Sequence, residues 1–247
     1  MVQLKSKSEV EQMRKAGAIV GQILHELKDL AKPGASTADL ALYASTRTKE
    51  LGAKPAFKGY NGFPATLCVS VNEEVVHGIP SKKRVLKDGD IVSCDFGVIL
   101  NGWYGDSAKT YPVGKVAADT MKLVETTEKS LLLGIEECKP GHHLFDIGAA
   151  IQNYVEQFGY SVVREFVGHG IGRSLHEDPQ VPNFGIKGKG IILKPGMVLA
   201  IEPMINAGKP EVKVLADGWT AVTVDKAWSA HFEHTVAITE TGNPLDV

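Results

Sequence analysis

LKDGDIVSCD (residues 86–95) and LKPGMVLAIE (residues 193–202) are two stretches of this 247-residue chain that align without a gap at an offset of 107 residues. Each has a glycine at its fourth position, continues through an apolar run and ends in a carboxylate, Asp95 or Glu202. Several matches at one offset indicate an internal repeat of two similar halves, each built of two helices followed by strands. The same offset aligns Lys32-Pro33-Gly34 with Lys139-Pro140-Gly141, Asp39-Leu40 with Asp146-Ile147, and Gly52 with Gly159.

The first copy continues into a hairpin that brings a second acid. Residues 91–100 are apolar and predict a buried strand, Asn101-Gly102 is a strong hairpin turn, and the chain returns to Asp106. With a two-residue loop, residue 97 pairs with 106 and Asp95 shares the face of residue 97. With a four-residue loop, Asp95 pairs directly with Asp106. Both alternatives place the two carboxylates on one face, and only an odd-length loop or a bulge would separate them.

Three further candidate ligands stand in similar surroundings. His169 lies within GHGIG (168–172), where glycines allow close backbone approach. Glu202 ends an apolar strand just before Pro203, and Glu233 lies in the apolar strand 230–238. A lone histidine in such a strand is more often a hydrogen-bonded core residue, but burying each unpaired carboxylate would cost several kcal/mol. The combination predicts divalent cations held by Asp95, Asp106, His169, Glu202 and Glu233.

The ligand types limit the metal and the chemistry. Four carboxylates and one imidazole suit Mn, Fe(II), Co or Zn, whereas Mg accepts nitrogen ligands poorly. Five protein ligands are too many for one catalytic ion with an open position, but they suit two ions about 3.5–4 Å apart with bridging carboxylates. Such a pair activates a water molecule and polarises a carbonyl group. The sequence therefore favours a hydrolase.

Composition indicates one enzyme-sized domain over residues 1–247. A chain with 43% hydrophobic residues can bury a substantial core, and helices interleaved with strands predict an α/β or α+β unit. The net charge of −2 gives no footprint for nucleic acid or an anionic membrane surface. The chain start lacks a signal-peptide core, and no segment approaches the roughly 20 apolar residues of a membrane span. The three cysteines are odd in number and widely spaced, so the cytoplasm is expected.

Start and stop signals predict two helices, at residues 8–30 and from 36 or 37 to about 52, and the repeat places a second pair at 119–138 and 143–158. Ser8 is the expected N-cap of the first helix, because Glu11 follows three residues on as in a capping box. Residues 57–64 are rich in aromatic residues and glycine, which favours a loop that lines a pocket.

The order of these motifs resembles type I methionine aminopeptidases over nearly the whole chain. The resemblance includes VHGIP (76–80) and LHEDP (175–179), which carry the two non-ligand histidines of that family, His77 and His176. It implies the duplicated pita-bread α/β (α+β) fold, with an antiparallel sheet flanked by two helix pairs. The repeat then divides the domain into pseudo-symmetric halves at about 8–110 and 115–240.

The resemblance also implies residue roles. Asp95 would chelate one metal, His169 and Glu202 largely the other, and Asp106 and Glu233 would bridge the two ions. Glu202 would also act as general base. The catalytic histidines would be His176, bonded to the scissile carbonyl oxygen, and His77, near the substrate amide.

A methionine pocket is implied by Tyr60, Phe63, Cys68 and Trp219, because a flexible thioether packs well against rings. On the sequence alone, these aromatic residues would be ordinary core. Phe57 and Leu175 occupy positions that differ among relatives, where some have a cysteine and a phenylalanine. Asn72 and Ser229 match family positions near a structural monovalent cation, Na or K.

The implied activity is removal of the initiator methionine from nascent polypeptides when the second residue is small. The expected enzyme is a monomer without a membrane partner and without nucleic-acid sequence recognition, and contact with the ribosome is left open. His25, His142 and His143 are read as solvated or capping residues, whereas His231 and His234 are expected to orient Glu233.

Three alternatives share this fold. Xaa-Pro aminopeptidases and prolidases have the same metal set but usually carry an extra N-terminal domain, whereas the first ligand strand here begins about 90 residues in. Type II methionine aminopeptidases carry a late helical insert, for which the 25 residues between His176 and Glu202 leave no room. A non-catalytic module that binds proteins or RNA would be favoured by missing ligands and a basic surface.

Overall fold

Two consecutive helix pairs pack against an antiparallel sheet. The computed structural model describes residues 2–242 and 244–247, and its helices there are α1 (Lys7–Leu30), α2 (Thr37–Glu50), α3 (Ala118–Glu136) and α4 (Leu144–Glu156). All four predicted helices occur within two residues of the expected bounds. None of these described helices is both long enough and apolar enough to cross a bilayer.

The predicted N-cap of the first helix is wrong. The helix begins at Lys7, and Ser6 is its cap: the Ser6 hydroxyl accepts from the N–H of Glu9 at 3.3 Å, and the Glu9 carboxylate accepts from the N–H of Ser6 at 2.9 Å. Ser6 and Ser8 are each followed by a glutamate three residues on, so the local pattern is ambiguous. The N–H of Lys5 bonds to the carbonyl of Gly196 at 2.7 Å, a long-range contact that holds the chain extended up to Ser6.

The described strands are all paired antiparallel. Within the described residues, the main sheet has nine strands in the order β1-β4-β5-β14-β9-β7-β8, with β2 also beside β4 and β15 beside β14. Two small sheets, β13-β10-β6 and β11-β12-β3, complete the fold. The strand bounds are β1 (Lys54–Pro55), β2 (Cys68–Val71), β3 (Glu74–Val76), β4 (Ile91–Leu100), β5 (Trp103–Pro112), β6 (Ser161–Val162), β7 (Gly168–Gly170), β8 (Glu177–Val181), β9 (Val198–Ile201), β10 (Met204–Asn206), β11 (Val212–Val214), β12 (Ala221–Thr223), β13 (Ser229–His231), β14 (Glu233–Ala237) and β15 (Leu245–Asp246).

The β4–β5 hairpin has the two-residue loop that was one of the two sequence alternatives. Asn101 and Gly102 both have positive φ, 52° and 79°, which is the backbone of a type I′ turn. Gly97 therefore pairs with Asp106, and Asp95 pairs with Ala108 two positions further along. Because side chains alternate along a strand, Asp95 and Asp106 lie on the same face of the sheet.

The 107-residue offset recurs in the backbone hydrogen bonds that join each helix pair to its strand. The N–H of Gly34 donates to the backbone carbonyl of Leu86 at 2.9 Å, and the N–H of Gly141 donates to the backbone carbonyl of Leu193 at 3.0 Å. The caps repeat as well, since α2 and α4 begin with the capping pairs Ser36/Asp39 and His143/Asp146. The single domain over 1–247 and the half boundaries at 8–110 and 115–240 stay predictions, and Met1 and Asn243 lie outside the described residues.

Apolar residues of the helices cover the sheet in two clusters, one for each helix pair. The first packs α1 and α2 against β4 and its neighbours around Leu24, Leu40 and Phe96. The second packs α3 and α4 against β9 and β14 around Ile147 and Leu199. The helices thus support the strands that carry the acidic residues from behind.

Candidate metal centre and pocket

The five predicted metal ligands lie on five neighbouring strands of the main sheet. Asp95 is on β4, Asp106 on β5, Glu233 at the start of β14, Glu202 directly after β9 and His169 on β7. One side chain per strand is brought to the same cavity, which all five line. The cluster therefore forms because these five strands are neighbours in the sheet, although they do not follow one another in the chain.

The distances between donor atoms are short. His169 Nε2 lies 3.6 Å from Glu202 Oε1 and 4.0 Å from Asp106 Oδ2. A carboxylate oxygen of Asp106, a carboxylate oxygen of Glu233 and a ring nitrogen of His169 all lie within 4.8 Å of one another. The Nδ1 atom of His169 is 2.9 Å from the carbonyl of Gly170, which favours a proton on Nδ1 and leaves Nε2 as a lone-pair donor toward the acids.

Burial favours the neutral form of each of these groups, so it raises the pKa of the carboxyl groups and lowers that of the imidazole. It raises the pKa of Asp95 to about 7. It also raises the pKa values of Asp106, Glu202 and Glu233 well above their usual range, with repulsion among the neighbouring carboxylates as a further cause. Burial lowers the pKa of His169 to about 4, so the imidazole is neutral at physiological pH. A neutral imidazole cannot compensate four carboxylates, whereas divalent cations can.

Three buried carboxylate oxygens lack hydrogen-bond partners within the described part of the chain, which indicates that the site fits divalent cations. Asp95 Oδ1, Asp106 Oδ1 and Glu233 Oε1 are buried and have no hydrogen-bond partner among the described residues. Buried acceptors of this kind are rare in folded proteins, because each costs the free energy of its lost hydration. Four carboxylates and an imidazole are also the donor types that Mn, Fe, Co and Zn accept. The arrangement can therefore hold divalent metal ions.

The two predicted catalytic histidines lie in the same cavity. The hydroxyl of Tyr60 is 2.7 Å from His176 Nδ1, and the His176 ring centroid is 4.3 Å from that of His169. If the tyrosine donates this bond, the proton of His176 is on Nε2. His77 packs its ring edge-on against Phe166, with centroids 5.3 Å apart. Burial lowers the pKa of His176, and burial together with His176 lowers that of His77 to about 4, so both rings are neutral donors near pH 7.

The cavity extends from the metal centre into an apolar pocket, and its volume is about 190 Å³. The structure brings together the predicted pocket residues, and Phe63 packs edge-to-face on Trp219 at 5.1 Å. The remaining apolar lining consists of Phe57, Tyr60, Cys68 and Leu175, so both positions that differ among relatives form pocket wall. Asn61 also lines the cavity and was not among the predicted residues; its position within the aromatic 57–64 loop is the one signal that could have identified it.

The expectation that His231 and His234 orient Glu233 is not supported by the distances. His231 is buried with its Nε2 3.9 Å from Glu202 Oε2, and His234 Nε2 lies 3.1 Å from Asp246 Oδ1. His234 follows Glu233 directly on β14, so the two side chains point to opposite faces of the sheet. His231 ends β13, which belongs to a different sheet.

The predicted cation residues Asn72 and Ser229 lie close together, outside the pocket. The side chain of Asn72 donates to Asp90 and accepts from the N–H of Ile91. The backbone carbonyl of Asn72 accepts from the N–H of Ser229 at 2.8 Å. The monovalent cation itself stays a prediction.

Comparison with known proteins assigns the class. The model of metallopeptidase family M24 matches residues 11–240, and the chain belongs to this family. Methionine aminopeptidase 1 of Bacillus subtilis is 60% identical over 98% of the chain and 97% of its own length. Methionine aminopeptidase of Escherichia coli K12 is 44% identical over 98% of the chain and 92% of its own length.

Solved structures agree with the sequence relatives. The crystal structure of methionine aminopeptidase from Thermotoga maritima matches with a TM-score of 0.98 and 49% identity, covering 100% of this chain and 98% of that one. The prolidase from Pyrococcus horikoshii shares the fold, with a TM-score of 0.78 and 23% identity, but this chain covers 62% of its length. The predicted class, a methionine aminopeptidase with the pita-bread fold, is confirmed.

Proposed function

We propose that this enzyme removes the N-terminal methionine from peptides and nascent chains whose second residue is small, using two divalent cations. The observation that carries the proposal is the position of five metal donors at one end of a small aromatic pocket. A thioether side chain packs well against such rings. Methionine in the pocket would bring its own first peptide bond beside the metal centre.

The family resemblance implies the ligand assignment, and the order of the strands supports it. Asp95 would hold one ion, His169 and Glu202 mainly the other, and Asp106 and Glu233 would be shared by both. Asp106 and Glu233 suit bridging because their strands, β5 and β14, lie between the strands that carry Asp95 and Glu202. When bound, the ions supply Lewis-acid polarisation of a carbonyl and a more acidic water.

Glu202 is assigned as the general base. Its side chain is 15% exposed, so it meets the cavity, while Asp106 and Glu233 are 4% exposed. An ionised carboxylate that meets the cavity can accept a proton from a water molecule there. Glu202 would take a proton from the attacking water and pass it toward the leaving amine.

His176 and His77 are assigned to the reacting amide. A His176 ring with its proton on Nε2 can donate to the scissile carbonyl oxygen and more strongly to the oxyanion that follows attack. His77 is held against Phe166 and, at 6.4 Å, Trp219, and would contact the substrate amide. The free amine of the substrate would lie near Asp95, which restricts cleavage to the first residue.

The restriction to small second residues is argued from space. Tyr60 and His77 border the cavity beyond the metal centre, and both rings are held by neighbours, His176 and Phe166. Bulky second residues would displace the scissile carbonyl from the metals or from His176. A misplacement of about 1 Å can cost on the order of 100-fold in rate.

The wider setting belongs to the same proposal. Cys68, Cys94 and Cys138 are unpaired and buried, a state that suits a reducing compartment such as the cytoplasm. We propose a monomer that acts there on nascent chains, with the ribosome as a candidate partner, and with Na or K near Asn72 and Ser229.

A peptide assay tests the proposal. Metal-free enzyme is reloaded with Mn, Fe(II), Co or Zn and supplied with Met-Ala-Ser, Met-Lys-Ser and an Xaa-Pro peptide. Met-Ala-Ser should be cleaved well, Met-Lys-Ser poorly, and bound metal should approach two ions per chain. Equal kcat/KM for the two methionine peptides would contradict the size restriction, and a preference for Xaa-Pro would favour the prolidase alternative.

A further inference from the structure

A buried ion pair joins the segment before α1 to the loop that carries His176. Lys5 Nζ lies 2.5 Å from Glu177 Oε2, and their side chains are only 5% and 10% exposed. Lys5 itself is fixed by its backbone, since its N–H donates to the carbonyl of Gly196 at 2.7 Å. The ammonium group of Lys5 is therefore held in place where it contacts the loop that carries His176.

The carboxylate of Glu177 also closes the loop on itself. Its Oε1 atom accepts from the N–H groups of Arg173 at 2.8 Å and Ser174 at 3.1 Å. Both of its oxygens are thus engaged, one by the loop backbone and one by Lys5. At the other end, the N–H of Tyr104 on β5 donates to the carbonyl of Gly172 at 3.0 Å.

The loop backbone makes room for this ion pair. A Cβ atom on Gly172 would lie 2.5 Å from Lys5 Cε and 2.7 Å from Glu177 Oε1, so a side chain at that position would displace the ion pair. The ion pair thus packs directly on the loop backbone. Any shift of Glu177 moves its neighbour His176, whose ring must keep its 2.7 Å contact with Tyr60 and its position beside His169.

We infer that Lys5 is a positioning residue for His176, acting through Glu177. The inference rests on the proposed role of His176 in the reaction. Lys5 does not touch the cavity around the metal centre. Its contribution is to hold the loop 172–177 so that the imidazole meets the scissile carbonyl.

The experiment measures kcat and KM for Met-Ala-Ser with Lys5→Met, Lys5→Arg and the matched control Lys7→Met, an exposed neighbour. Lys5→Met should lower kcat by roughly 10- to 100-fold with little change in KM, as expected for a catalytic group displaced by about 1 Å. Lys5→Arg should retain most of the activity because it keeps the charge. Lys7→Met should match wild type, and bound metal should be unchanged in all three variants.

A double-variant comparison separates positioning from a general loss of structure. In a His176→Ala background, Lys5→Met should change kcat by less than about twofold, because there is no ring left to position. An equal drop in both backgrounds would overturn the inference, as would wild-type kcat for Lys5→Met. If His176→Ala itself leaves kcat unchanged, the proposed role of His176 fails, and this inference with it.

Lys5→Met leaves a buried carboxylate without its cation, which can unfold a protein. Lys5→Met with Glu177→Gln removes both charges and should restore the thermal midpoint. Its kcat should stay at least tenfold below wild type if the ion pair positions His176. Recovery of both the midpoint and kcat would overturn the inference.

Discussion

At the level of single residues, Asp95, Asp106 and Glu233 each have a buried oxygen without a hydrogen-bond partner among the described residues. Substituting one of them should affect the stability of the metal-free protein and its affinity for metal differently. Removing a carboxylate relieves repulsion among buried acids in the metal-free protein, but it also removes a ligand. Stability without metal and affinity for metal should therefore change in opposite directions. This separation is what distinguishes a ligand cluster from a structural polar core.

Glu233→Gln should abolish peptide cleavage and reduce bound metal below two ions per chain, because it removes a carboxylate that we propose is shared by both ions. His169→Ala should do the same through loss of its neutral nitrogen. Metal content by elemental analysis and turnover of Met-Ala-Ser measure both effects. The matched control is Glu128→Gln, an exposed acid on α3. Full activity and two retained ions in either ligand variant would exclude the assignment.

His176→Ala should keep metal and fold but lower kcat by roughly 100- to 1,000-fold, the effect of removing one oxyanion donor. KM should change little, since the charge that His176 meets exists only after attack. Steady-state kinetics with Met-Ala-Ser separate the two parameters, and the exposed His25→Ala serves as control. A variant with raised KM and normal kcat would show that His176 only binds the ground state.

At the level of elements, the sequence predicted which acidic and histidine side chains line one cavity better than it predicted the contacts around them. Strand alternation puts Asp95 and Asp106 on one face for either even loop length, so the site did not depend on choosing the right turn. The Ser6 cap, the Lys5–Glu177 pair and the approach of His231 to Glu202 all depend on contacts between segments far apart in the chain. Local patterns carry no information about such partners.

The corrected helix start makes a prediction at this level. Ser6→Ala removes the side-chain acceptor of the capping box and should destabilise the protein by about 1 kcal/mol. For a chain of this length, that corresponds to a lower thermal midpoint by about 2–4 °C. Ser8→Ala, at the position that the sequence pattern favoured, should have a much smaller effect. If Ser8→Ala is the more damaging of the two, Ser6 is not the cap.

At the level of the whole molecule, the pita-bread fold gathers buried acids from both helix–strand repeats at the centre of one sheet. The first repeat supplies Asp95 and the second supplies Glu202, at equivalent positions of the aligned segments. The stability of the metal-free protein should therefore depend on the protonation of this centre as a unit, because the acids repel one another.

Buried histidines affect the same stability below pH 6.5. Burial lowers the pKa of His77 and His169 to about 4 and that of His231 to about 3. Between these values and about 6.5, the unfolded chain binds protons that the folded protein does not, so these histidines make stability rise with pH. At pH 6.5 half of the unfolded imidazoles are still charged, so this contribution levels off only about one unit higher, and its sign is opposite to that of the acids. The acids are tested between pH 6.5 and 8, below the range in which cysteine thiols ionise, and the metal-bound form shows how much the histidines still contribute.

In that window, metal-free protein should lose stability as pH rises. An unfolded carboxyl group loses its proton near pH 4, whereas burial raises the folded pKa of Asp95 to about 7 and those of Asp106, Glu202 and Glu233 well above their usual range. The folded state then binds more protons than the unfolded state, and the free energy of unfolding falls with pH until each folded pKa is passed. Bound divalent cations keep the acids ionised and should remove this loss.

Denaturant unfolding with a chelator and with Mn²⁺, at several pH values from 6.5 to 8, measures the effect. The free energy of unfolding of the chelated protein should fall by on the order of a few kcal/mol across the window, and that of the Mn²⁺ form should not. Chelated Glu233→Gln should show a shallower fall than wild type, because one buried acid is gone and its repulsion of Asp106 and Glu202 with it. The Glu128→Gln control should follow wild type. Parallel pH profiles for the chelated and Mn²⁺ forms would mean that these acids do not bind the added ions, and the metal centre proposed here would have to be abandoned.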